Sequence, residues 1–116
     1  MPRLIDLEPE WLRYEKRADG RVYFVPSDMA NAHGIKFLCP KCFAEKPDGV
    51  GIHSVICWSR SRGTPDDAEP GPGRWTFGGE RFDNLSLHGD PPGNPRSVQL
   101  NGGCGWHGYV TEGEAA

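Results

Sequence analysis

Two short motifs in this 116-residue chain combine residue types and a spacing that do metal chemistry. Cys39-Pro40-Lys41-Cys42 comes first and Cys104-Gly105-Trp106-His107 far downstream. Each sets two donor side chains three residues apart, the spacing at which one tight turn aims both at a single ion. Pooled, they offer three thiolates and an imidazole, a ligand set of tetrahedral structural zinc. A lone Cys-x-x-Cys would serve redox chemistry equally well, but two such turns, one with Pro40 and one with Gly105, favour zinc held by Cys39, Cys42, Cys104 and His107.

Other candidate donors are Cys57, His33, His53 and His88. His53 and Cys57 lie four residues apart in a segment read as a strand, so about 13 Å separates them at roughly 3.3 Å per residue. Donors of one ion lie within roughly 4 Å of each other, so the two cannot share a metal. Cys57, between Ile56 and Trp58, reads as a small buried hydrophobe. His53 reads first as a hydrogen-bonded residue beside the site and second as a ligand. His33 reads as meeting free carbonyls at a helix end, His88 as exposed, and Trp106 as a lid over the metal turn.

The elements that must position these donors read as mostly antiparallel β. The segment 4–16 reads as opening on a short helix, with Pro9 in its first turn and Glu8 and Glu10 at its positive end. Residues 21–25 form a strand that Pro26 stops. Residues 27–34 suggest one capped helical turn ended by a left-handed Gly34. A strand at 35–38 delivers Cys39. The clearest strand runs over 52–58, with His53, Val55 and Cys57 on one face and Ile52, Ser54, Ile56 and Trp58 on the other. Short strands are expected at 74–77, 85–88, 97–100 and 108–111. Residues 59–73 are a polar Gly/Pro loop, long enough to be functional or mobile, and the tail 112–116 is expected to fray.

The composition bounds the rest. Hydrophobic residues make up 36%, with 16 Gly, 11 Pro and four Trp, so one domain spanning 1–116 has a thin core that a metal cross-link would supplement. A net charge of −3 disfavours a general phosphate-backbone binder. Arg60, Arg62 and Arg74 near Trp58 and Trp75 suggest a stacking patch for nucleic acid, but Asp66, Asp67 and Glu69 oppose it. The start of the chain lacks an apolar leader and no segment suits a bilayer, so the expectation is a cytoplasmic protein with reduced cysteines. No acid/base constellation of a deaminase type is present, since no His-x-Glu occurs. A small zinc hydrolase with His53 or Glu80 moving protons is the second reading, behind a non-enzymatic zinc module that binds another macromolecule, with a host or phage protein as the expected partner.

The run 34–42, then 53–55, then 70–75 and 104–109 resembles a family of small, uncharacterised phage and prophage proteins, some labelled "ammonia monooxygenase". Nothing in this sequence supports that label. The similarity extends over about residues 21–114. It implies a small zinc-binding β domain of unknown activity, with the metal motif on Cys39, Cys42, Cys104 and His107 and with Cys57 outside it.

Overall fold

The computed structural model describes residues 3–46, 48–65, 67–69, 74–89, 98–99 and 106–115, apart from the side chains of Gln99 and His107. The fold is mainly β and antiparallel, with one α-helix and two short 3-10 turns among the described residues. Strands β1 (Glu10–Lys16), β2 (Val22–Ser27), β3 (Gly34–Leu38) and β4 (Ser54–Trp58) form one sheet in the order β2-β1-β3-β4. The helix α1 (Pro40–Glu45) lies between β3 and β4. Three two-stranded sheets follow: β5 (Trp75–Gly78) with β6 (Ser86–Gly89), β7 (Val98–Gln99) with β8 (His107–Gly108), and β9 (Val110–Thr111) with β10 (Glu114–Ala115).

Strand periodicity divides the apolar residues between the two faces of the larger sheet. Ile35 and Phe37 pair with Cys57 and Val55 and turn to the main core, where they meet Leu4, Leu7, Leu85, Leu87, Val98, Trp106, Val110 and Ala115. Leu12 and Trp58 occupy the other face with Ala68, flanked by Tyr14 and Ile56. The face assignment read from the alternation therefore holds over Ser54–Trp58, where the strand lies, whereas Ile52, expected on the opposite face, packs against the main core.

The N-terminal segment departs from expectation. Only Leu4–Leu7 is helical, as a 3-10 turn, and 10–16 is the strand β1. The alternation of Trp11, Arg13 and Glu15 against Leu12, Tyr14 and Lys16 suits a strand with two different faces. Pairing with β2 over six residues and with β3 over three outweighs the helix-favouring acidic start. Residues 28–33 make turns and bends and no helix, with the Asp28 carboxylate accepting from the Asn31 amide at 2.9 Å. Gly34 belongs to β3, and its missing side chain is the point: a Cβ there would lie 2.6 Å from the Trp58 ring and 2.5 Å from the Cys57 carbonyl oxygen.

Pro26 does not stop its strand, because it sits on the sheet edge. The Arg17 amide donates to the Arg21 carbonyl at 2.8 Å, which makes that pair hydrogen-bonded. Pairs alternate from there, so Val22, Phe24 and Pro26 turn their backbone groups away from β1. The position with no N–H thus faces outward, where no ladder needs it.

The tail does not fray where it is described. Glu114 and Ala115 pair with β9, the Gly113 amide donates to Leu85 and its carbonyl accepts from Leu4. Ala115 is buried, which a sequence reading that heard only small and polar residues missed. The polar segment after β4 is likewise held. The Trp58 indole donates to the Glu69 carbonyl at 2.9 Å, Thr64 Oγ1 donates to the His33 carbonyl at 3.0 Å, and buried Arg74 donates to the carbonyls of Pro65 and Ala68. Arg62 reaches back to the Met29 carbonyl at 2.6 Å and lies over the rings of Trp11 and Phe77. It is engaged by carbonyls and aromatic faces of its own chain.

Candidate metal centre

The β3–β4 pairing builds the centre. Their register runs Gly34↔Trp58 to Leu38↔Ser54, and its next step sets Cys39 opposite His53. The Cys39 amide donates to the His53 carbonyl at 2.9 Å, so the step is made. Side chains two residues apart share a face, so Cys39 follows Ile35 and Phe37 and His53 follows Cys57 and Val55, all toward the main core. Opposed positions in a hydrogen-bonded pair bring Cβ atoms within about 5 Å, close enough for both side chains to reach one ion.

Cys42 joins them through the helix start. Cys39 is the extended residue before α1, with φ −61° and ψ 123°, and Pro40 occupies the first helical position, where its preset φ suits the turn and its missing N–H is not needed. The Phe43 amide donates to Cys39 and that of Lys46 to Cys42, both at 2.9 Å. One turn therefore separates Cys39 from Cys42, and their thiols fall on the same side. The donor atoms of Cys39, Cys42 and His53 all lie within 4.8 Å of one another. A tetrahedral zinc site with bonds of 2.0–2.3 Å has edges of roughly 3.5–4 Å, so small side-chain adjustments bring the three onto one ion. They are close enough to hold a metal.

Neighbouring donors, not burial, separate the roles of the three described cysteines. Cys39 and Cys42 are 0% and 2% exposed, yet each has a second donor nearby; Cys57 is equally buried, sits in the strand interior opposite Ile35, and is no member of the donor group. Burial alone pushes the Cys57 thiol far above its ordinary pKa, since a thiolate there would be left in apolar surroundings. Its expected packing role is what the structure shows. His33 differs from expectation: its Nδ1 accepts the Tyr14 amide at 2.9 Å, just beyond the end of the β1–β3 pairing. Burial, then the Arg13 charge, lower its pKa. His88 is exposed.

Of the second expected pair, Cys104 and the side chain of His107 lie outside the described residues. Trp106 between them is described. It is buried in the core that holds Cys39 and Cys42, edge-on to Phe37 at a centroid separation of 6.3 Å and 89°. Phe37 is two residues before Cys39 on the same strand face, so Trp106 packs in the core that the centre borders. His53, read first as a hydrogen-bonded residue beside the site and second as a ligand, stands within reach of both thiols; the signal for that nearness is the strand register, which only pairing reveals.

No helix among the described residues is long and apolar enough to cross a membrane. Comparison with protein-family models, curated proteins and solved structures gave no match.

Proposed function

We propose that this domain is a non-enzymatic module that a single zinc ion stabilises and that binds another protein. The observation that carries the reading is the burial of Cys39 and Cys42 beside His53 in the wall of the main core, a setting that suits a structural ion. Two soft thiolates and an imidazole select zinc over hard cations. Trp106 in the same core supports a contribution from the 104–107 stretch to the remaining coordination. An open cleft of about 390 Å³ is lined by Glu8, Pro9, Glu10, Lys36, Leu38 and Ser54, so none of the three donors lines it. A substrate seated there would meet the Glu10–Lys36 ion pair, 2.9 Å long, instead of the metal. The order of motifs along the chain supports a phage or prophage origin.

The test is metal content and coordination of the purified protein. One zinc per chain with four protein ligands, lost together with the fold on chelation, supports the module. A small zinc hydrolase is the second reading: a catalytic zinc keeps three protein donors and one open position, and three donors lie together among the described residues. Three protein ligands plus water in the X-ray absorption spectrum would favour it. Partner capture then uses the folded, zinc-loaded domain as bait, with the metal-free form as control.

A further inference from the structure

The zinc reading leaves five side chains competing for four positions: Cys39, Cys42, His53, Cys104 and His107. We infer that His53 is the third protein ligand, so that Cys39, Cys42 and His53 form the fixed part of the centre and no more than one of Cys104 and His107 completes it. This rests on the zinc reading and goes beyond it, because it replaces a clamp between two distant turns by a centre built mainly on one hairpin.

Three observations lead there. The backbone of His53 is tied to that of Cys39 by the 2.9 Å hydrogen bond, so its Cα has a fixed place beside the first ligand. Strand parity aims its ring at the face of Val55 and Cys57 and not at the opposite face, where Lys36 and Ser54 lie. Its nitrogen stands within 4.8 Å of both thiols. His53 is also only half-buried, so one ring nitrogen can take the metal while the other meets water or a polar neighbour, the arrangement that fixes the tautomer of a ligating histidine.

The experiment substitutes cobalt(II) for zinc in the full chain and compares wild type with His53→Ala, His53→Cys, Cys104→Ser and His107→Ala. Affinity is read by competition with a chelator, coordination by the visible d–d and thiolate-to-cobalt bands, and folding by circular dichroism. Removal of an outer-shell partner weakens a metal site by roughly 10–100-fold. His53→Ala is expected to exceed that range and to change the d–d envelope. His53→Cys is expected to restore tetrahedral binding with a stronger thiolate band, which a merely structural role would not produce. At least one of Cys104→Ser and His107→Ala should keep the wild-type spectrum. A His53→Ala protein with the wild-type spectrum, or loss of tetrahedral cobalt in both downstream variants, overturns the assignment while leaving one bound ion intact. A wild-type protein that takes up no metal overturns the zinc reading and the assignment with it.

Discussion

Cys39 and His53 face each other one step beyond the last pair of the β3–β4 ladder, joined by a 2.9 Å hydrogen bond from the amide of the first to the carbonyl of the second. That relationship places an imidazole beside a Cys-x-x-Cys turn without any contribution from distant sequence. It also ties the state of the centre to the state of the sheet, because the same ladder carries Phe37 and Val55 into the core.

Metal removal is therefore expected to loosen the sheet. Cys39→Ser should behave like chelation and lower the melting temperature by an amount equivalent to several kcal/mol, since the binding free energy of a structural ion is folding free energy. Cys57→Ala should cost only about 1–2 kcal/mol for the cavity it leaves and should keep the metal. Thermal melts with and without chelator check both, and equal melts for the two forms of wild type would refute the structural role.

Cys57 should also give the protein an alkaline liability. Its folded pKa is raised, so as pH climbs past the ordinary thiol value of 9.0 the unfolded chain loses this proton while the folded one keeps it. Stability then falls with rising pH by up to about 1.4 kcal/mol per unit. The slope between pH 9 and 10.5 should be shallower in Cys57→Ala than in wild type, as denaturant titrations will show.

His33 acts at the other end of the scale. Its folded pKa is lowered, so below its ordinary 6.5 the unfolded chain takes up a proton that the folded chain refuses, and stability falls as pH falls toward the folded value. Protonation would also remove the acceptor that Tyr14 uses. His33→Gln keeps an acceptor but cannot titrate, so its melting temperature should change less than that of wild type between pH 7 and 5.5.

The strap over 59–69 should prove structural. Arg74→Met removes donations to the carbonyls of Pro65 and Ala68 from a buried cation and is expected to cost about 2–4 kcal/mol. Replacing 60–69 by a Gly-Ser linker should lower stability further, since the Trp58 indole loses the Glu69 carbonyl. An unchanged melt for the linker form would restore the loop to a purely displayed, partner-binding part.

Pro26 should act as a guard. Val22, Tyr23 and Phe24 are each about two-fifths exposed on the outermost strand, a template for strand addition. Pro26→Thr supplies an outward N–H without disturbing the pairing with Leu12, so it should increase concentration-dependent self-association in sedimentation velocity.

Sequence alone determined the elements whose signals are local. The alternation over 52–58 marked the strand Ser54–Trp58 and its two faces, the apolar runs in 21–25 and 35–38 marked two more strands, and the Cys-x-x-Cys turn marked two candidate donors, because three-residue spacing across a helix start needs no long-range help. Composition also told that Cys57 would pack. Tertiary pairing decided the rest. Residues 10–16 carry a helix-compatible start and became β1 only because β2 and β3 lie on both sides of it. Ala115 and Gly113 carry no apolar signal, yet the backbone of one and the small side chain of the other close the core. The role of Gly34 depends on the Trp58 ring across the ladder, and the nearness of His53 to Cys39 depends on register, which shifts every side chain to the opposite face if it slips by one residue. Register is a property of two strands together, and a single segment read by itself does not contain it.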